Sequence, residues 1–218
     1  MKEIQEFLNG NKKWCVVQGD CAEVLPEIKT AFAIVTDPPY GLGKKWGNGK
    51  ASKKSSWKKA IRSMPGDWDS EINPIVESFP QMSKEVVIWG GNYYSLPPCR
   101  GLLVWDKCQP KEWVQSHGEV AWTNLDIPLR TFRMPQCVAY GNMNKRHPTQ
   151  KPVPLMRWCI EFISCGLVVD PFCGSGSTGV AAIWEGKRFL GIEKRKDYVC
   201  LSRSRLYHAE FSKPGSSV

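Results

Sequence analysis

No stretch of this sequence reaches the roughly 18 consecutive apolar residues that a membrane-crossing helix needs. The opening MKEIQEFLNG also lacks the apolar centre of a secretory signal, so a cytoplasmic location with no membrane partner is expected. None of the nine cysteines is spaced C-x2-C, and His117, His147 and His208 lie far from any cysteine pair. That spacing offers no zinc framework and no metal is expected; the cysteines read as reduced thiols used mostly as small apolar residues. No internal repeat is present. Acidic residues are missing from one long stretch.

Between Gly41 and Gly66 stand Lys44, Lys45, Lys50, Lys53, Lys54, Lys58, Lys59 and Arg62, with no Asp or Glu. These eight cations against a chain total of +9 leave the remainder nearly neutral. Trp46 and Trp57 are interleaved with them. Such a block suits an arm that meets phosphates and stacks on bases or sugars, and it also suits a solvated loop that lysine keeps soluble. At 42% hydrophobic and 23% charged residues, the 218-residue chain as a whole has enough apolar content for a globular core, with one domain over 1–218 expected.

Short apolar runs alternate with helical patterns. Trp14 to Gln18 reads as a strand, with Asp20 placed to cap the amphipathic run Cys21, Val24, Leu25, Ile28. Ala31 to Thr36 reads as a buried strand that stops at Asp37-Pro38-Pro39-Tyr40, where two prolines forbid continuation. Pro74 to Ser83 reads as a helix, Glu85 to Trp89 as a strand leaving sharply at Gly90-Gly91-Asn92, and Leu102 to Trp105 as a strand. Alternation is lost from Asp106 to about Tyr140, which predicts an insert with short extended pieces such as Glu119 to Thr123 and Leu129 to Met134. It returns as helix, strand, helix, strand, helix from Pro154 to Phe211. This order indicates a mostly parallel sheet with helices on both faces.

Val168-Val169-Asp170 runs into PFCGSGSTG and a helix, so backbone N–H groups at a helix start can meet an anionic or carboxylate-bearing ligand. Gly174, Gly176 and Gly179 satisfy G-x-G-x-x-G, and Glu193 follows Gly174 by 19 residues, where a ribose-binding acid belongs. Taken alone this also fits a nicotinamide oxidoreductase. Only 25 residues follow Glu193, too few for the remaining strands of such a domain, so the N-terminal strands must complete the same sheet in rotated order.

Asp37-Pro38-Pro39-Tyr40 resembles the tetrapeptide of the amino-group DNA methyltransferases, the adenine-N6 and cytosine-N4 enzymes. His147-Pro148-Thr149-Gln150-Lys151-Pro152 is similar to that family's HPTQKP segment, and Asp170-Pro171-Phe172-Cys173-Gly174-Ser175-Gly176-Ser177-Thr178 to its cofactor turn. The order of the three motifs is that of the family's β group and spans nearly the whole chain, the weakest match being 106–140. Where Ser177-Thr178-Gly179 stands, many relatives carry Thr-Thr without the glycine.

The resemblance implies an α/β fold: a doubly wound, Rossmann-like methyltransferase sheet dependent on S-adenosyl-L-methionine, with circularly permuted motif order and a small recognition insert at 100–140. It implies methylation of adenine N6 in DNA with base flipping; methylation of cytosine N4 or of RNA, and a non-catalytic nucleic-acid-binding module, are the alternatives. Asp37, Pro38, Pro39 and Tyr40 would be catalytic, the first two accepting the amine hydrogens and Tyr40 stacking on the base. Asp170, Phe172, Gly174, Ser175, Gly176, Thr178 and Glu193 would bind the cofactor. Asp20 would reach the cofactor adenine or serve only as a helix cap; Thr149 and Lys151 would meet the cofactor carboxylate or only shape a loop. Trp89 to Tyr94 resembles a segment lining the base pocket, although core packing explains Trp89 equally well. Trp105, Trp113 and Trp122 read as core anchors or DNA contacts. The basic stretch 41–66, with Arg130, Arg133, Lys145 and Arg146, would meet double-stranded DNA. A homodimer, frequent in the group, would help so short an insert read a target.

Overall fold

The computed structural model describes residues 2–43, 69, 71–113, 116–140 and 150–212. Lys44, Lys45, Lys50, Lys53, Lys54, Lys58, Lys59, Arg62, Lys145, Arg146 and Thr149 lie outside the described residues.

Among the described residues, eight strands form one sheet: β1 (Trp14–Gln18), β2 (Ala33–Thr36), β3 (Val86–Trp89), β4 (Leu102–Asp106), β5 (Gly118–Thr123), β6 (Arg130–Arg133), β7 (Leu167–Asp170) and β8 (Arg188–Glu193). Their spatial order is β1-β8-β7-β2-β3-β5-β4-β6. β5 runs antiparallel to both its neighbours and every other pairing is parallel. The helices are α1 (Lys2–Asn9), α2 (Cys21–Val24), α3 (Phe79–Met82), α4 (Gln136–Tyr140), α5 (Val153–Ile160), α6 (Ser177–Trp184) and α7 (Lys196–Phe211).

The strand sequences explain the two layers. β2, β3 and β7 are buried at every position and apolar except at the last residues of β2 and β7, Thr36 and Asp170, as strands covered on both faces require. Alternate residues feed opposite cores: Val35, Val87 and Trp89 join Leu155, Met156, Val180 and Leu206 of α5, α6 and α7. Ile34, Val86 and Ile88 join Ile4, Phe7, Val24 and Phe79 on the other face. Each fully buried aliphatic side chain contributes about 1.5–3 kcal/mol relative to exposure. From the β7/β2 boundary the chain proceeds outward in both directions, to β8 and to β3, which makes that boundary the crevice where an open α/β sheet binds ligands.

The stretch 100–140 contributes β4, β5 and β6, which are hydrogen-bonded into the sheet as its outer half. Their half-exposed, partly antiparallel character removed the continuous apolar signature of the inner strands. Pro74 to Ser83 is a 3-10 turn over Pro74–Ser78 followed by α3, with a proline among the first two residues of each piece. α1 and α4 arise where no helix was expected, α1 burying only Ile4 and Phe7.

Candidate active site

The C-terminal ends of the parallel strands and the start of β5 share one edge. β2 delivers Asp37 there, directly after Thr36, and the two prolines stop the strand and stiffen its exit. Asp69 holds the turn that follows, its carboxylate accepting the N–H groups of Tyr40, Gly41 (2.9 Å) and Leu42 (3.2 Å). The Tyr94 hydroxyl donates to the Pro39 carbonyl, and the Tyr40 hydroxyl donates to Asp37 Oδ1. Gly90, at the exit of β3, has φ of +68°, and a Cβ there would lie 2.1 Å from the Tyr40 ring. Tyr40 stacks on half-exposed Tyr93, with ring centroids 4.9 Å apart and planes 21° apart.

β7 delivers Asp170, which is buried. Thr36 Oγ1 donates to its Oδ1 at 2.7 Å and Thr178 Oγ1 to its Oδ2 at 2.6 Å, while the Phe172 N–H also reaches Oδ1. Burial pushes the Asp170 carboxyl up to about 6 against the pull of those donors. The glycine turn then wraps into α6, whose first residue follows Gly176 at φ of +80°. A Cβ on Gly176 would press on Ser202 and Leu206 of α7, both at 2.9 Å. From α7, buried Arg205 donates to the Ser175 carbonyl at 2.6 Å and to the Ser175 and Ser177 hydroxyls, fixing the turn from behind.

These two constructions meet in one cavity. Asp37, Lys151, Asp170, Phe172, Gly174, Ser175 and Thr178 line it, together with Gln150, Met156, Cys173 and Ser177. Gln150 is 5% exposed, and its Oε1 has no hydrogen-bond partner among the described residues. Such an acceptor is costly to bury unless a ligand donor meets it. Gly176 stands behind the wall as the cap of α6. Asp20 and Glu193 stand at neighbouring strand ends. The Asp20 carboxylate caps α2 through the Ala22 N–H and pairs with Lys194 at 2.9 Å. Glu193 Oε2 accepts from Gly174 N–H at 2.9 Å and Oε1 from Arg195 N–H, so it ties β8 to the glycine turn. Burial raises the Glu193 carboxyl against those two N–H donors.

Lys151 extends into the same place from the approach to α5. Its ammonium is 2.7 Å from Asp37 Oδ1, 3.0 Å from Glu119 Oε2 and 3.1 Å from the Tyr40 hydroxyl. Burial raises the Asp37 carboxyl while Lys151 opposes the rise. On Glu119 burial acts upward too, but Lys151 and Lys107 outweigh it and hold the carboxyl down at about 2. Burial works against the Lys151 ammonium, yet Asp37 and Glu119 overcome it and raise its pKa well above the usual lysine value.

The remaining expected residues divide. Arg133 lies at the site edge of β6 and pairs with Asp106 at 3.0 Å, whereas Arg130 opens β6 at the opposite edge. Trp89, Trp105 and Trp122 are buried core anchors, and Trp113 is 52% exposed. Sequence reasoning did not single out Asp69, Lys107, Glu119, Gln150 or Arg205. Gln150 had a signal, since it sits inside HPTQKP; the others are single polar residues to which no motif points.

The sequence profile of the DNA methylase family (N6_N4_Mtase) matches residues 88–204, more than half of the chain. The chain belongs to this family of N6/N4 DNA methyltransferases. The type II methyltransferase M2.DpnII of Streptococcus pneumoniae is 27% identical over 252 residues, covering 92% of this chain and 91% of its own. Two solved structures share the fold. The PvuII DNA methyltransferase (cytosine-N4-specific) has a TM-score of 0.55 at 17% identity, covering 95% of this chain and 89% of its own. The M1.HpyAVI–SAM complex has a TM-score of 0.53 at 20% identity, covering 88% and 98%.

N6/N4 DNA methyltransferases draw their methyl group from S-adenosyl-L-methionine. The cavity suits that cofactor. The unpartnered Gln150 Oε1 and the acidic groups at the strand ends offer acceptors for its ammonium and ribose hydroxyls.

Proposed function

We propose that this chain methylates the exocyclic N6 amine of adenine in double-stranded DNA, with the target base turned out of the duplex. The observation that carries this reading is that Asp37, on its proline-stiffened turn, lines the same cavity as the glycine turn.

Bound S-adenosyl-L-methionine supplies a methyl group on a positive sulfur, already a strong electrophile. The amine is the weak partner, because its lone pair is delocalised into the ring. Asp37 and the Pro38 carbonyl are two acceptors for its two hydrogens, and accepting both favours a pyramidal nitrogen with a localised lone pair. Positioning and electrostatics then carry the catalysis. Tyr40 and Tyr93 offer stacked aromatic faces for a base outside its helix. Gln150, Asp170, Phe172, Glu193 and the 174–176 backbone would hold the cofactor. Arg133, at the site edge of β6, and the basic stretch 41–66 would meet the DNA backbone. Asp37-Pro38, rather than Ser-Pro, supports adenine as the base.

The test incubates the protein with unmethylated duplex DNA and isotopically labelled S-adenosyl-L-methionine, then identifies the labelled nucleoside by mass. Label in N6-methyladenine is expected. Label in N4-methylcytosine would overturn the base and keep the site; no label on DNA would overturn the reading.

A further inference from the structure

Asp37 shares its cation. The Lys151 ammonium lies between Asp37 Oδ1 and Glu119 Oε2, and Glu119 Oε1 takes Lys107 Nζ at 2.6 Å. Two carboxylates and two cations therefore alternate from β2 to β5 and on to the residue after β4. The lysine side chains keep only 7% and 9% of their surface exposed, so water screens them little. In such surroundings charges in contact are strongly coupled, and removing one strands its partner.

Strand packing does not explain Glu119. It stands directly opposite Trp105 in the β4–β5 ladder with 27% of its side chain exposed, a place that pairing would fill equally well with an apolar residue. Its geometry instead answers a requirement of the reaction. A buried lysine committed wholly to Asp37 would occupy the carboxylate and compete with an incoming amine. A lysine shared with a second carboxylate keeps Asp37 ionised while leaving it able to accept.

We infer that Glu119 is a positioning residue for methyl transfer: anchored by Lys107, it draws Lys151 partly away from Asp37 and so sets how strongly Asp37 accepts the hydrogens of the target amine. The inference rests on the role given to Asp37 under the proposed function. Lys107 acts in the opposite sense, since it neutralises Glu119 and returns Lys151 to Asp37.

The two senses make the test. The groups that bear on Asp37 are Lys151, Tyr40 and Glu119, with Asp170 from β7 and Tyr94 beyond β3 coupled to it as well. The measurement is kcat/KM for DNA against pH in Glu119→Gln and Lys107→Met, with cofactor affinity by calorimetry. In Glu119→Gln the acid limb moves to lower pH by about one unit, and the neutral-pH rate falls about tenfold. In Lys107→Met the acid limb moves to higher pH. Cofactor affinity stays within about threefold in both, and Glu119→Asp recovers part of the rate. Unchanged limbs, or limbs that move in the same direction in both variants, overturn the inference, since simple damage to packing has no reason to give opposite signs. If Glu119→Gln does not fold, an upward limb in Lys107→Met still supports the inference and an unmoved or lowered one overturns it. Failure of the underlying reading is seen separately, as an active Asp37→Ala variant.

Discussion

Thr36 Oγ1 donates to Asp170 Oδ1 at 2.7 Å, joining the strand that ends in Asp37 to the strand that opens the glycine turn. This bond crosses the boundary between the parallel strands β2 and β7, from which the sheet is wound outward both ways. It sets the Asp37 turn and the glycine turn relative to each other through two buried side chains, Thr36 at 0% and Asp170 at 3% exposure. Removing the hydroxyl leaves Asp170 with less stabilisation of its charge. Thr36→Val is expected to cost about 1–3 kcal/mol of stability and to weaken cofactor binding, as melting and calorimetry would register.

Asp170 also gives stability a pH dependence. Its carboxyl is raised from 3.8 to about 6 in the fold, so between those values the folded chain holds more proton than the unfolded one. Stability from this group is complete below 3.8 and is lost as pH rises to about 6, by something of the order of 2–3 kcal/mol. Glu119 acts oppositely: lowered from 4.5 to about 2, it contributes above 4.5 and fades as pH falls. Urea unfolding across this range should show Asp170→Asn without the loss between pH 4 and 6 that the parent has. An identical slope in both proteins would remove Asp170 as its source.

Asp37→Ala should abolish methyl transfer, by about a thousandfold or more, while cofactor affinity stays within about threefold. The carboxylate is assigned to the amine of the target base, and the cofactor retains the glycine turn and Gln150. Single-turnover rates and calorimetry separate the two. A fully active variant would remove the mechanism.

Gly90 is positioned to control Tyr40. A Cβ there meets the Tyr40 ring at 2.1 Å and the residue has φ of +68°, so Gly90→Ala combines backbone strain with displacement of the ring. The strain amounts to about 1–3 kcal/mol. Methylation should fall about tenfold or more while melting shows a folded protein. Unaltered kinetics would show that Tyr40 does not position the base.

Replacing Lys53, Lys54, Lys58 and Lys59 by Gln should flatten the plot of log affinity for DNA against log salt. Each lost phosphate contact lowers the slope by about 0.9. An unchanged slope would make the basic stretch a solubility device.

The inner strands were readable because burial on both faces demands continuous apolar runs, and β2, β3 and β7 carry them. DPPY and the glycine turn were readable because proline and glycine impose local conformations that no neighbour has to supply. The outer strands were less so. Leu102 to Asp106 alternates buried and half-buried positions and Gly118 to Thr123 is half-buried over its first three residues; β5 belongs to the sheet by pairing with β3, and β4 by pairing with β5, not by their own pattern.

By itself the sequence determined the family, the rotated order of motifs, and the two turns that carry Asp37 and Gly174 to Gly176, since each follows from residue types at short range. Tertiary structure alone decided which charges share a site. Asp37, Lys151, Glu119 and Lys107 are separated by as many as 114 positions in the chain, from 37 to 151, and no local spacing links them. They meet because β2, β5 and the residue after β4 reach the same sheet edge beside the approach to α5, where low exposure strengthens the coupling between them.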